Sequence, residues 1–250
     1  MPSLETRDLG IRFGGHAAVD GVSCTFRPGT LTAIVGPNGA GKTTFFDLIS
    51  GQLRPNTGRI LWDGGDVTAL PPSARAQRGI GRAFQLTNLF PGLTVRENLR
   101  LGVQARAGGA LDLFRLASRR RDVEAETDGL LERIALARQG TARAGTLSHG
   151  DQRKLEVGLM LALRPRLFLF DEPTAGMSLD DVPVVLDLIA AIKADREATI
   201  LLVEHKMDVV KRLADRIVVL DRGSLVADGE PDDVIASPAV QRAYLGLADA

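Results

Sequence analysis

The sequence predicts an α/β fold: a parallel sheet carrying a glycine-rich loop, an antiparallel β subdomain near the N-terminus, and an inserted helical subdomain. Three observations predict it. Four short apolar runs, at residues 31–35, 167–170, 200–203 and 217–220, lack the polar alternation of a strand with one wet face. They read as strands covered on both faces of a parallel sheet. Stretches of helical periodicity separate them, and the alternation of the two patterns marks an α/β core. A long middle stretch, residues 95–144, shows no strand pattern and is rich in Arg, Ala, Glu and Leu.

In chain order, residues up to about 26, and again 58–64, read as short antiparallel strands between glycine turns. The strand at 31–35 runs through a glycine-rich loop into a helix at 43–50, which Gly51 closes. The stretch 95–144 is the helical insertion, with Gly108-Gly109 as a loop inside it. Its Arg119-Arg120-Arg121 run suits a solvated helix face or a partner contact. Leu155, Gly158, Leu159 and Ala162 form a helical stripe that stops before Pro165. Val185, Leu188, Ile189 and Ile192 form another, with Pro183 allowed in its first turn. Asp221-Arg222-Gly223 joins the last core strand to a further one as a hairpin. The chain reads as one domain over 1–250. About 1–86 and 164–230 form the core with its β subdomain, 87–163 the helical subdomain, and 231–250 a C-terminal extension.

Composition narrows the function. With 31 basic and 31 acidic residues among 250, no global field draws nucleic acid or an anionic membrane, and no nucleic-acid partner is expected. The single cysteine, Cys24, cannot form an internal disulfide and reads as a small core residue. The start lacks the basic end and apolar stretch of a secretory signal. No apolar run approaches the roughly 20 residues that cross a bilayer. A cytoplasmic protein is expected, unless something else holds it at a membrane.

The chemistry concentrates in two places. Gly36-Pro37-Asn38-Gly39-Ala40-Gly41-Lys42-Thr43 fits G-x-x-x-x-G-K-[ST] between a strand and a helix, the context that phosphate binding requires. Glycines let backbone N–H groups close around phosphate oxygens, and the helix N-terminus adds its positive end. Lys42 supplies a charge for the β- and γ-phosphates, and the Thr43 hydroxyl can ligate Mg²⁺. Thr44 is counted with the phosphate-binding residues. The alternative is a bare glycine turn, which explains neither the Lys-Thr pair nor the flanking elements. Farther on, the apolar strand at 167–170 runs into Asp171-Glu172-Pro173. Two adjacent carboxylates at a buried strand end are costly unless a cation or a reaction uses them. Asp171 is placed for Mg²⁺, and Glu172 to take a proton from an attacking water. A capped strand end is the structural alternative.

Four further motifs carry a resemblance. Leu147-Ser148-His149-Gly150-Asp151-Gln152, opening a helix before the acidic strand, resembles the LSGGQ signature of ABC ATPases. Gln85 after Gly81-Arg82-Ala83-Phe84 resembles their Q-loop, and His205 after Leu201-Leu202-Val203-Glu204 resembles their switch histidine. Phe13 in Arg12-Phe13-Gly14-Gly15 stands where the family's aromatic ring stacks on adenine. The order and spacing match from about residue 4 to 229. The resemblance implies an ATP- and Mg²⁺-dependent ATPase with a P-loop core. Two subunits pair head to tail, each closing the other's ATP with its Ser148 and Gly150. It also implies that His205 contacts the γ-phosphate and that Gln85 reaches the Mg²⁺–water region. Thr43, Gln85 and Asp171 would serve the metal, and Glu172, His205, Lys42 and Gln85 the reaction. His16 and His149 show no metal-ligand spacing with His205, so a metal cluster is not expected. The segment 86–99 would meet a membrane subunit, where Leu89, Phe90, Leu93 and Val95 serve as contact or as core.

Departures from the family pattern narrow the reading. His149 replaces a glycine and Asp151 a glutamine. Ser148 can still cap its helix, and Asp151 is expected to point away from the γ-phosphate. Ala175-Gly176-Met177-Ser178 lacks the aspartate usual after the acidic strand. That stretch, Val203-Glu204-His205-Lys206-Met207-Asp208 and the ending Ala243-Tyr244-Leu245-Gly246 resemble ATP-binding subunits of branched-chain amino-acid importers. The arginine-rich segment before the signature resembles the longer of that family's two ATPase subunits. The resemblance implies a second ATPase subunit, as a hetero- or homodimer. It also implies two transmembrane permeases, a periplasmic binding protein acting indirectly, and a place at the cytoplasmic face of the membrane. Urea and short-amide importers share the Leu-Ser-His-Gly and Ala-Gly-Met features. A soluble ABC ATPase acting on DNA or ribosomes is disfavoured by the single ATPase half. A non-catalytic partner subunit is disfavoured by intact Lys42, Asp171, Glu172 and His205.

Overall fold

A computed structural model of the chain describes residues 3–83, 89–107, 116–238 and 240–241. Gln85, the Gly108-Gly109 loop and the ending at 243–246 lie outside the described residues. The chain opens with β1 (Leu4–Phe13) and β2 (His16–Phe26). These strands run to ten and eleven residues rather than the short pieces expected. Their pairing shifts register between Thr6 and Leu9, around Asp8 at φ 47°, and again before Ile11. Bulges of this kind bend a strand without ending it, so local turn chemistry is absorbed inside one long hairpin. There follow β3 (Leu31–Val35), α1 (Lys42–Ser50), β4 (Thr57–Trp62), β5 (Gly65–Asp66), α2 (Pro72–Gln77) and β6 (Ile80–Ala83). The helical stretch contributes α3 (Val95–Ala107), α4 (Leu116–Arg133) and α5 (His149–Leu163). The remainder is β7 (Leu167–Asp171), α6 (Val182–Ala194), β8 (Thr199–Val203), α7 (Met207–Leu213), β9 (Arg216–Asp221), β10 (Ser224–Gly229) and α8 (Pro231–Ala236).

Two sheets result. One is antiparallel, in the order β2-β1-β4-β5; the other has the order β10-β9-β3-β8-β7-β6. In the second, β3, β7, β8 and β9 pair in parallel, and β10 returns antiparallel beside β9. Every residue of β3, β7 and β8 is buried, which is why these strands appear in the sequence as unbroken apolar runs. The β9–β10 turn places Arg222 and Gly223 both at positive φ, the two-residue geometry that matches strand twist.

The chain divides into two compact units. The first comprises Met1–Arg82, Arg166–Glu172 and Ile192–Ala250. Its main core joins Leu9, Val22 and Phe26 of the antiparallel sheet to Phe45, Phe46, Leu48 and Ile49 of α1 and to Ile34, Leu169, Leu201 and Val218 of the other sheet. The opposite face of β3, with Ala33 and Val35, packs with Val210 of α7 and Val234 of α8. Each fully buried Leu, Ile, Val or Phe contributes about 1.5–3 kcal/mol, so α1 is anchored along its length. Cys24 is buried in the same core and its thiol is pushed up to about 11, chiefly by that burial.

The second unit comprises Ala83–Pro165 and Pro173–Ala191. Val95, Leu99 and Val103 of α3 are buried with Leu130, Leu131 and Ile134 of the α4 end and with Leu155 and Val157 of α5. A Cβ on Gly158 would meet Leu99 and Ile134 at 2.9 Å, so glycine lets α5 lie close to both neighbours. Arg96 pairs with Glu124 and Asp128 between α3 and α4. Leu89 and Val95 are core here, whereas Phe90 is 56 % exposed. The core alternative therefore holds for Leu89 and Val95, while the Phe90 side chain lies on the surface. In the Arg119-Arg120-Arg121 run only the Arg121 side chain is described, and it is exposed. Among the described residues of the whole chain, no helix is long and apolar enough to cross a membrane.

Candidate active site

The glycine-rich segment leaves the end of β3 and folds back over the start of α1. Its tightness is steric. A Cβ on Gly36 would stand 2.1 Å from the Leu220 carbonyl oxygen, and one on Gly41 2.2 Å from that of Ala18. Gly41 also sits at φ 96° as the residue preceding α1, a conformation that glycine enters without cost. The loop is braced from behind, since Gly223 N donates to Ala40 O at 3.0 Å. Lys42 is only 6 % exposed, and its ammonium donates to Gly36 O at 2.8 Å and Pro37 O at 2.9 Å. Burial lowers its pKa, and the charges of Glu172 and Asp171 act in the opposite direction.

A cavity of about 340 Å³ opens in front of this loop. Asn38 through Thr44 form its floor, Phe13 and His16 one wall, and Glu172 and His205 another. The structure thus brings together Phe13, Asn38, Gly39, Ala40, Gly41, Lys42, Thr43, Thr44, Glu172 and His205 of the expected set. Gly36 and Pro37 support the loop through the Lys42 bonds without lining the cavity. Phe13 is 51 % exposed beside the cavity, which leaves its ring available to a flat ligand. His16 and Ala18 also line the cavity. Their place follows from the β1–β2 hairpin, whose strands and glycine turn the sequence signals but whose position at the phosphate loop it does not.

The two adjacent carboxylates differ. Asp171, the last residue of β7, is buried at 6 % exposure. Arg82 at β6 donates from Nη2 to Asp171 Oδ2 at 3.0 Å. From Nη1 it donates to Asp47 Oδ1 at 2.6 Å and Ser50 Oγ at 3.0 Å. Burial raises the Asp171 pKa, while the bond from Arg82 opposes that rise. In the sequence Arg82 stands out only as a neighbour of Gln85. Its place as the cation of this cluster carries no sequence signal, because its partners are remote along the chain. Glu172 points the other way, into the cavity, with 42 % of its side chain exposed. Its backbone takes φ 51° and its N–H donates to Val203 O at 2.9 Å. Its Oε1 lies 2.9 Å from His205 Nε2. The turn that carries His205 is fixed by Glu204, whose carboxylate accepts from His205 N at 2.9 Å.

In the second unit, Ser148 caps α5, its hydroxyl accepting from Asp151 N at 3.1 Å. Ser148 and His149 are exposed and Gly150 is buried. The Asp151 carboxylate is engaged by Lys154 one turn along the helix, at 3.0 Å.

The donor set suits Mg²⁺. That ion prefers hard oxygens, binds through one or two carboxylates and substrate phosphates, and keeps several waters. Thr43 supplies a hydroxyl of that kind on the cavity, and Asp171 a carboxylate that does not line it and is held by Arg82. No group of three or more His, Cys, Asp or Glu able to hold a metal occurs among the described residues. Lys42→Met is expected to weaken ATP binding at least about tenfold by removing a charged hydrogen bond to phosphate. Titration with a fluorescent ATP analogue measures this, and unchanged affinity would contradict the placement.

Comparison with known proteins agrees with this geometry. The family described as ABC transporter matches residues 19–175. A second, described as branched-chain amino acid ATP-binding cassette transporter, matches residues 224–250. The high-affinity branched-chain amino acid transport ATP-binding protein BraF of Pseudomonas aeruginosa is 38% identical, covering 99% of both chains. Its counterpart LivG of Escherichia coli K12 is 37% identical, again over 99% of both. Among solved structures, the ADP conformation of MJ1267, an ATP-binding cassette of an ABC transporter, superposes with a TM-score of 0.82 at 30% identity, covering 98% of this chain and 99% of that one. CbiO1 from Clostridium perfringens, part of the transporter complex cbiONQ, gives 0.79 at 26% identity, covering 96% and 93%. The chain therefore belongs to the ATP-hydrolysing subunits of ABC transporters.

Proposed function

We propose that this subunit energises uptake of branched-chain amino acids by hydrolysing ATP at the cytoplasmic face of a membrane. The observation that carries the hydrolytic half is the Glu172–His205 pair, 2.9 Å apart beside the loop that carries Lys42. In this reading Lys42 and the backbone of residues 36–44 bind the phosphates, and Phe13 stacks on the adenine. Glu172 accepts a proton from the attacking water, and His205 orients that water against the γ-phosphate. Thr43 and Asp171, with Gln85, would hold Mg²⁺, which when bound neutralises charge on the phosphate oxygens. Ser148 and Gly150 serve the ATP of a second ATPase subunit, and its signature serves this one, so that ATP joins the pair and hydrolysis releases it.

Near-full-length similarity to BraF and LivG supports the cargo. The partners are then a second ATPase subunit, two transmembrane permeases that hold the chain at the membrane, and indirectly a periplasmic binding protein. The test is ATP turnover of the complex reconstituted in vesicles with its binding protein. Leucine, isoleucine or valine is expected to stimulate turnover. Stimulation by urea or short amides alone would overturn the cargo assignment and leave the ATPase assignment standing.

A further inference from the structure

Lys154 has no role in the site described so far. It lies in the second turn of α5, 7 % exposed. Its ammonium reaches Asp151 Oδ1 at 3.0 Å and Asp181 Oδ1 at 2.5 Å. Asp181 precedes α6, and its Oδ2 accepts from the Ser178 hydroxyl at 2.7 Å. The same Oδ2 lies 2.6 Å from where a Cβ on Gly150 would stand. The His149 ring lies 3.6 Å from the corresponding position on Gly176. The loop at 176–181 therefore sits directly on the first turn of the signature helix, and it brings a carboxylate with it.

This arrangement raises an electrostatic difficulty. A helix start that receives a triphosphate needs positive potential, and carboxylates nearby reduce it. Here two stand close to Gly150, one on the helix and one on the loop. Lys154 is the cation that contacts both. Burial alone would lower its pKa, but its bonds to Asp181 and Asp151 outweigh burial and raise it. Asp181 is held below the usual carboxylate range, by Lys154 first and Ser178 second. Lys154 and Asp181 therefore stay charged at neutral pH.

We propose that Lys154 is a positioning residue for ATP hydrolysis: it neutralises Asp151 and Asp181 and draws them together, so that the signature helix still accepts a triphosphate. The proposal rests on the reading of Ser148 and Gly150 as the cap on a partner's ATP. It also accounts for how the chain tolerates an acid at 151.

The test is the ATP dependence of turnover by the assembled complex. Lys154→Gln keeps the length and two N–H donors but removes the charge. It is expected to raise KM for ATP about tenfold with kcat changed less than about threefold. Lys154→Arg is expected to stay within about threefold of the parent in both. The double variant Asp151→Asn, Lys154→Gln replaces an ion pair by an amide pair, and is expected to recover most of the lost affinity. The KM penalty of Lys154→Gln is also expected to shrink at high salt, because screening weakens uncompensated charge. A folded Lys154→Gln with unchanged KM overturns the proposal, and so does a double variant no better than the single. If Lys154→Gln does not fold, the double variant decides, and a tenfold loss there sinks the idea. Ser148→Ala separates the two levels. If it too leaves KM and turnover unchanged, the signature reading itself fails, whereas an effect there beside a silent Lys154→Gln removes only the role of Lys154.

Discussion

Glu172→Gln in the assembled complex is expected to cut ATP turnover by about 10²–10⁴-fold while leaving ATP affinity within about threefold. The substitution preserves shape and hydrogen-bonding reach and removes only the ability to take a proton. Geometry singles out Glu172 over its neighbour. Asp171 is buried, bonded to Arg82 and absent from the cavity lining, so it is not placed to take a proton from water there. Glu172 is half-exposed on the cavity wall beside His205. Its backbone is held at φ 51°, a conformation that costs a non-glycine residue about 1–2 kcal/mol. The bond from Glu172 N to Val203 O and the pairing of β7 with β8 hold it there. A turn that relaxed to negative φ would aim the carboxylate elsewhere, so the strain is tied to where the side chain points. His205→Ala is expected to lower turnover as well, since it removes the group that fixes Glu172 Oε1. Undiminished turnover in Glu172→Gln would leave the proton without an acceptor and sink the hydrolytic role assigned to this residue.

How far the sequence foretells this site depends on the range of the interactions involved. The phosphate loop is legible because its signature is local, glycines followed by Lys42 and Thr43 at fixed spacing between a strand and a helix. The backbone those glycines make room for, at Leu220 and Ala18, is nevertheless remote in sequence. The core strands are legible because burial on both faces leaves an unbroken apolar run. The β1–β2 hairpin is longer than its sequence suggests, since glycines and Asp8 that signal turns in isolation are bulges within a paired ladder. Arg82 is not legible at all. Its partner Asp171 is 89 residues away, and nothing in periodicity distinguishes an arginine bound for a buried cluster from one bound for solvent. The same holds for Leu89, Phe90 and Val95, which are alike in hydrophobicity but are separated by packing into core and surface. Charged residues inside a fold are placed by tertiary neighbours, so the sequence identifies the reacting groups better than the groups that hold them.

Arg75→Met is expected to destabilise the first unit by about 4 kcal/mol, the balance of several lost charged hydrogen bonds against relief from burying a charge. Arg75 is 1 % exposed. Its Nη1 donates to Leu48 O at 2.6 Å and Ile49 O at 2.7 Å, its Nη2 to Thr68 O at 2.9 Å, and its Nε to Leu70 O at 3.0 Å. Two of these carbonyls belong to the last turn of α1, which has no basic residue of its own there. The last carbonyls of a helix carry its negative end and need donors from outside its regular ladder. The Gly51 N–H supplies one to Leu48 O at 3.2 Å, and Arg75 supplies further ones to Leu48 O and Ile49 O. A guanidinium from α2 thus satisfies the C-terminus of the helix whose N-terminus begins at Lys42. Burial pulls the Arg75 pKa down to about 10, against the opposing charge of Asp66, so the group remains ionised at neutral pH. Methionine fills the volume but leaves the carbonyls of Ile49, Thr68 and Leu70 short of a donor, each costing about 1–3 kcal/mol, while Leu48 O keeps the Gly51 N–H at 3.2 Å. Desolvation recovered from the lost charge offsets part of that sum. For a chain of this size the loss corresponds to a melting temperature lower by about 8–16 °C, measurable by differential scanning fluorimetry. Arg75→Lys is expected to fall between the two, because one ammonium cannot span all four acceptors. A drop of less than about 3 °C in Arg75→Met would mean that water or a rearranged loop takes over these carbonyls. The anchoring of α1, and with it the support of Lys42, would then rest on apolar packing alone.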